Sequence, residues 1–413
     1  MKYFSVVGGQ VAVDENNIAW WYHAGQLVVI TYVNGSSIGL TFATIPEAIA
    51  AKTILAETLY RDMASVPATS GIVYNLQCKY LRTYSLSTAT FTFNFPVTSL
   101  TVICDSAASA LMHQSYIDNV IYSARLSRNA IGKTLVHVTT TIQSTIDSAS
   151  SGNMVIVPKG YYYEKLTLKN GVDIYFEHGA TLVYGFNTGE TQVMVADNVT
   201  CKILGHGVFI YGSSALGTPN SLFNCTNAST VFWEFETVYT KREVMYVNTL
   251  AATKVTVKGR GFDSDSFELL DIDVVRMKVG REFWFGYSLA GANLITRNTL
   301  FELTNTDSAF NMAGTFDPMN IQLVNIAGKL FTQGSILVVG GDYNTNSKVF
   351  NTYFEGGSGS NSFKPAVGSS VGIMTVVLYG NNYFNVNYDT GSGRVSLSGG
   401  SYVLNTSLTI YAS

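Results

Sequence analysis

The sequence predicts a mainly β chain whose centre winds into a parallel β-helix, preceded by a small duplicated α+β module. Three observations carry this. Residues 138–212 break into short runs that alternate apolar and polar side chains, the period of strands buried on one face. The pattern recurs without any helical stretch between: Val172 and Val199 lie 27 residues apart, as do Tyr184-Gly185 and Tyr211-Gly212. Ahead of it, the run Ser37 to Thr44 aligns with Ser99 to Ser106 at an offset of 62 residues. Short strands and turns at a period of ~20–50 residues build a solenoid in which each coil covers its neighbour's apolar face. With no helix in the period, that solenoid is a parallel β-helix.

Taken in order, residues 1–65 form the first copy of the module. Its strands, 26–33 and 37–42, are joined at Asn34-Gly35, a strong short hairpin signal. A helix is expected from about Ile45, with Pro46 in its first turn, where the missing N–H costs nothing. Residues 66–136 hold the second copy and a connector: Phe91 to Phe95 matches the first strand, and Ala107 to Ile121 the helix, with Asp105 or Ser106 as its N-cap. In the connector, Ile131-Gly132-Lys133-Thr134 has the tail of a phosphate-binding loop, but Ser127 stands where the first glycine should be. His137 is expected on the connector's surface.

Residues 137–355 are assigned to the β-helix. Leu166, Leu168, Val172, Ile174 and Phe176 point one way; Lys165, Thr167, Asp173 and Tyr175 point the other. Pro158-Lys159-Gly160, Lys169-Asn170-Gly171 and Glu177-His178-Gly179 supply the corners. A looser third copy is Ala252 to Gly259, and strands continue less regularly to 355. After the Gly/Ser-rich stretch Glu355 to Ser362, residues 356–413 are either the last coils or a separate small β cap.

Thr141 to Ala149, followed by Val155-Ile156-Val157-Pro158-Lys159-Gly160-Tyr161-Tyr162, resembles the opening of the pectate-lyase-like right-handed β-helix superfamily. Gly171-Val172 through Gly179-Ala180-Thr181-Leu182 is similar to the second half of that first coil. The resemblance covers residues 138–290 and implies a right-handed helix whose open end is capped by a short α-helix. It is specific for fold and not for function, because one fold hosts many activities.

Composition excludes several classes. The chain has 413 residues, 47% hydrophobic and only 13% charged, with 37 Gly, 25 Tyr and 23 Phe, which suits β-structure with neutral outer faces. A net charge of −3 argues against a nucleic-acid or anionic-membrane partner. No uncharged apolar run reaches ~18 residues, so no membrane span is expected, and the first nine residues lack the length of a secretion signal. Cys78, Cys104, Cys201 and Cys225 are too far apart for a metal motif and read as structural free thiols.

The densest acidic stretch runs from Asp263 to Asp273. Asp271 and Asp273 share one strand face, ~6.5–7 Å apart, inside the range for paired carboxylates in inverting glycoside hydrolysis. The other reading makes Asp263 and Asp265 turn residues, with Asp271 and Asp273 solvated and paired with Arg276 or Lys278. The resemblance implies, for a lyase, calcium-binding carboxylates and a basic residue. For a galacturonan hydrolase it implies Asn-x-Asp, Asp-Asp and Gly-His-Gly; Gly205-His206-Gly207 is present and Asp-Asp is not. His206 and His178 therefore read as turn residues, and His23 and His113 have no motif partner. Trp233, Trp284 and Phe285 fit either a sugar-stacking platform or an internal aromatic ladder. Trp20-Trp21-Tyr22 reads as a docking anchor.

A duplicated α+β head and a neutral β-helix resemble a tailed-bacteriophage fibre or tailspike. That implies a homotrimeric virion structural protein, assembled in the host cytoplasm and attached to capsid or tail through residues 1–136. Its β-helix would face host surface glycan, with no cofactor, metal or catalytic residue required. The alternatives are a glycan depolymerase using acids among Asp263, Asp265, Glu268, Asp271 and Asp273, and a bacterial surface adhesin.

Overall fold

A computed structural model describes residues 1–126, 132–184, 192–212, 221–240, 243–248, 254–268, 271–285, 293–303, 310–313, 319–329, 335–340, 345–350, 352–355, 361–365, 374–379, 381–385, 395–398 and 401–404. The protein is mainly β, with one large parallel sheet. Residues 1–126 come first as two rounds of one plan. In the first round, β1 (Lys2–Val6) and β2 (Gly9–Val13) form a hairpin turned at Gly8 and Gly9, both at positive φ. β3 (Ile18–Ala24), β4 (Leu27–Tyr32) and β5 (Ser37–Thr41) form a meander, and α1 (Ile45–Leu59) follows. Thr44 and Glu47 close a capping box at its start, with Pro46 in the first turn as expected.

The second round repeats this: hairpin β6 (Met63–Pro67) and β7 (Val73–Gln77), meander β8 (Thr83–Ser87), β9 (Thr90–Asn94) and β10 (Ser99–Ile103), then α2 (Ala107–Leu126). The duplication therefore extends beyond the strand–strand–helix core legible in sequence and includes the leading hairpins. Matched hydrogen bonds confirm it. Val7 N–H donates to Thr41 O and Thr69 N–H to Ile103 O, both at 2.8 Å. Thr44 and Ser106 take the same helix-capping place, each accepting from a backbone N–H three residues on. The two rounds interlock, since β7 pairs with β3 and makes the sheet order β5-β4-β3-β7-β6, while β10-β9-β8 stands apart.

From Thr134 to Leu404 the described strands form a single 27-stranded sheet in which most pair with the strand three places on, and those around the long central strands with one nearer in sequence. One inward column shows the logic: Val155, Ile174, Ile203, Trp233, Val257, Ile272, Thr296, Leu323 and Val349 lie in register, rung above rung. All but Thr296 belong to one apolar core that runs from Ile142 to Val349. Burying such a column removes roughly 1.5–3 kcal/mol per large apolar side chain from water. Phe176, Phe209, Trp233 and Phe235 pack edge to face or tilted inside it, with ring centroids 5.1, 5.1 and 4.8 Å apart in turn. Trp233 is thus an interior residue and no sugar platform.

The short helix α3 (Ile142–Ser148) covers the first rung with Ile142 and Ile146, and Glu164 accepts from its Ile142 and Gln143 N–H groups at 2.9 Å each. The 27-residue spacing holds at Tyr184↔Tyr211, but the preceding strands pair at 29 residues, Ile174↔Ile203. The turn before Thr181 is longer than the turn before Val208, which absorbs the difference. At the corner before the inward column Asn198 and Asn227 take positive φ, and at the corner after it Asn298 and Asn325 do, a conformation Asn tolerates better than other side-chain-bearing residues. The strands Met374–Tyr379, Asn381–Asn385, Val395–Ser398 and Ser401–Leu404 continue the same parallel pairing. Among the described residues no helix is long and apolar enough to cross a membrane.

Candidate functional site

The face of the parallel sheet opposite the core is not solvated over its central rungs: residues 1–126 lie on it. Two columns flank the inward one. The first reads Ile156, Tyr175, Leu204, Glu234, Lys258, Asp273, Arg297, Val324 and Phe350; the second reads Met154, Asp173, Lys202, Phe232, Thr256, Asp271, Ile295, Gln322 and Lys348. In the middle of the first stands a ladder of alternating charge, Glu234, Lys258, Asp273 and Arg297, with side chains 0, 0, 1 and 0% exposed. Unpaired, each such charge would cost several kcal/mol to bury, so a partner is obligatory.

Helix α2 supplies those partners because its repeat fits the rungs. Strands stack ~4.8 Å apart and a helix rises 1.5 Å per residue, so a helix laid across them meets a new rung about every 3.2 residues. Asp105, just ahead of the helix, and Ser109, His113, Tyr116 and Ser123 on one of its faces meet the rungs in that order, while Asn119 reaches out of sequence to Lys202. Asp105 pairs with Lys348, Ser109 with Gln322 at 3.2 Å, and His113 Nδ1 with Arg297 at 3.4 Å. Tyr116 donates to Asp273, Asn119 accepts from Lys202 at 2.6 Å, and Ser123 donates to Glu234 at 2.7 Å.

At the centre, Lys258 Nζ meets three oxygens: Met63 O at 2.7 Å, Asp273 Oδ2 at 2.9 Å and Tyr116 Oη at 3.4 Å. An ammonium has three protons to give, so this one is fully used. Arg297 pairs with Asp271 and lies 4.1 Å from the Tyr116 ring centroid, a cation–π contact. Burial pushes the Tyr116 phenol well up, helped by Asp273, and pushes the His113 imidazole well below its usual value, helped by Arg297. Burial raises Asp271 too, against the pull of Arg297. From α1, buried Lys52 donates to Asn325 O, and burial lowers its ammonium to about 7.

A second cluster sits at the rim. The His178 and His206 rings meet edge to face at 5.5 Å, and His206 Nδ1 lies 3.7 Å from Glu236 Oε2. Glu236 also accepts from Tyr60 and from Arg260 at 2.9 Å, while Arg61 contacts His206. The His206 contact foremost, then Tyr60 and Arg260, hold the Glu236 carboxyl down to about 2. It is an anion at any working pH and cannot serve as a general acid.

The structure thus places the sequence candidates differently from expectation. Asp271 and Asp273 do face away from the core, yet Asp273 is buried and Asp271 largely so, and they pair with Arg297 and Lys258, while Arg276 pairs with Glu57; the Lys278 side chain lies outside the described residues. His206 is a rim residue in contact with Glu236 and Arg61, more than a turn residue. Trp21 is fully buried beneath α1, which removes it from an exposed anchor, while Trp20, Tyr22 and Tyr74 pack together beside it. The side chains of Asp263, Asp265, Glu268, Trp284 and Phe285 lie outside the described residues. His137 is exposed on a strand that pairs with Asn153–Val157. Sequence reasoning missed Glu234, Lys258, Arg297 and Tyr116. The signal of the three charged ones was present, since with Asp273 they stand 24, 15 and 24 residues apart, but it becomes visible only once the register is known.

Among the described residues no group of His, Cys, Asp and Glu is placed to hold a metal. The four cysteines are free and buried, and burial raises the thiols of Cys78, Cys104 and Cys225 to about 12. What fold and seam define together is a mainly β protein with a large parallel sheet, its two-round α+β layer locked onto one face by buried charge. No family model matches the chain, and no curated protein matches it. Among solved structures, a family 28 exopolygalacturonase of Yersinia enterocolitica overlaps 96% of this chain and 87% of its own, with 11% identity and a TM-score of 0.31. An overlap of that quality carries no argument about activity.

Proposed function

We propose that the protein is a homotrimeric structural component of a tailed-bacteriophage virion. In this reading its parallel sheet is a right-handed β-helix of the pectate-lyase type, carried on the particle through residues 1–136 and turned toward host surface glycan. The observation that supports a structural over an enzymatic role is the covered charge ladder. Inverting hydrolysis needs one protonated and one ionised carboxyl with room for a water between them. Asp271 and Asp273, the pair with suitable spacing, are each engaged by a cation, and Asp273 also accepts from Tyr116 of α2. Their charge holds the front layer in place. A depolymerase reading falls back on the rim, where Glu236 is ionised and His206 is about a quarter exposed.

The test has two arms. Mass spectrometry of purified particles is expected to find the chain as a stoichiometric component. The purified protein, incubated with host surface polysaccharide, is expected to bind it without releasing reducing ends or unsaturated sugars. Particles that lack the chain overturn the virion reading, and cleavage products overturn the non-enzymatic one.

A further inference from the structure

The internal duplication has one junction that is made and one that is missing. Between the rounds, β7 of the second pairs antiparallel with β3 of the first, Trp20↔Leu76, Trp21↔Asn75 and Tyr22↔Tyr74. The counterparts of those strands are β2 and β8. The correspondence is fixed by ladder partners: Trp21↔Ile30↔Ile38 matches Tyr84↔Phe93↔Leu100, and Phe4↔Val11 matches Val66↔Tyr74. Among the described residues, β8 pairs only with β9, and β2 pairs only with β1. If the two rounds were related by a two-fold axis, β2 would already close on β8 within the chain. It does not, so the relation is head-to-tail, and such a contact repeats until a ring closes.

We propose that β8 of one chain takes up β2 of a second copy, in the register Thr83↔Val13, Tyr84↔Ala12 and Ser85↔Val11. The product is a five-stranded sheet, β10-β9-β8 continued by the partner's hairpin, with the order that the first round already has. An open sheet edge is a template for such pairing. Exposure agrees. Hairpin β6–β7 is covered, with Ser65, Asn75 and Gln77 all at 0%, while its counterpart leaves Tyr3 65% exposed and Gly9, Gln10 and Ala12 open. Ser85 and Ser87 on β8 are exposed as well. The inference deepens the homotrimer of the proposed function but rests on the duplication, not on the virion reading. Three chains supply six rounds and three such junctions.

The experiment is oxidative cross-linking of the full chain carrying Val11→Cys and Ser85→Cys together, beside each single variant, with native mass measured throughout. The double variant is expected to give covalent species ending at three chains on a non-reducing gel, and neither single variant to cross-link. Cross-linking by Ser85→Cys alone means β8 pairs with β8 and overturns the proposal. So does a trimeric double variant that stays uncross-linked, which leaves the trimer standing; a monomeric native mass removes both. Hydrogen exchange on the unmodified protein guards against a variant that does not fold. Amides of β2 and β8 are expected to be protected in the assembly, and fast exchange there in an intact oligomer overturns the pairing.

Discussion

Replacing Asp273 by Leu tests whether the buried ladder holds the two layers together. The substitution leaves Lys258, 0% exposed, with two neutral oxygens, Met63 O and Tyr116 Oη, and no counter-charge. Breaking one side of a buried pair costs about 3–5 kcal/mol, which is roughly a hundredfold or more in the population of the open state. Replacing both partners, Lys258→Met with Asp273→Leu, removes the stranded charge. Such apolar replacements are neutral or stabilising by about 1–4 kcal/mol, so the double variant should recover most of the loss. Because layer and sheet need not open in one step, the assay is hydrogen exchange across α2 together with denaturant unfolding. A single variant costing less than about 1 kcal/mol, or a double variant no better than the single one, refutes the reasoning.

Acid should loosen the protein from about pH 6.5 downward. Burial depresses His23 to about 3 and His113 well below its usual value. Their contribution is therefore complete above the unfolded pKa and lost as pH falls, and Glu236, held near 2, adds the same sign below its ordinary 4.5. Unfolding midpoints measured from pH 8 to 4 should fall, and His23→Gln should flatten the slope. Lys52, lowered to about 7, acts in another window: stability should rise from pH 7 to about 8.5, above which the buried thiols oppose it, and Lys52→Met should abolish that rise. Gly205 sits at φ +101°, and a Cβ there would lie 2.1 Å from Phe176 O, so Gly205→Ala should abolish soluble expression. Gly132→Ala, also at positive φ but with nothing within 4 Å, should cost only about 1 kcal/mol by thermal unfolding. Trp233→Ala, which empties the centre of the aromatic cluster, should cost about 3–5 kcal/mol in denaturant titration.

Local pattern was enough to find the strands, the corner glycines, the start of α1, the Ser106 cap of α2 and the apolar column, because each depends on neighbours two to four residues away. The inward placement of Leu166, Ile174 and Phe176 followed from alternation alone. What alternation cannot say is what lies over the other face. Asp173, Glu234, Lys258 and Arg297 look like solvent-facing residues in any strand read by itself, and only long-range packing turns them into a buried ladder. The face of α2 was equally hidden. Ser109, His113, Tyr116 and Ser123 are not apolar, so a search for a hydrophobic stripe passes over the residues that meet the sheet. The leading hairpins escaped the repeat for a related reason: Tyr3 and Ser65 correspond in place but face different surroundings, and their identities diverged accordingly.

Zero-length carbodiimide coupling followed by peptide mass spectrometry tests most directly whether the front of the chain lies on the outer face of its own sheet. Coupling joins a carboxylate to an amine only where the two already touch, and the Met1 α-amino group beside Glu15, at 2.9 Å, provides the internal control. The expected product links Asp105, which leads into α2, with Lys348, 243 residues away on the parallel sheet. Recovery of the Met1–Glu15 link without the Asp105–Lys348 link would contradict the covered face, and with it the buried ladder.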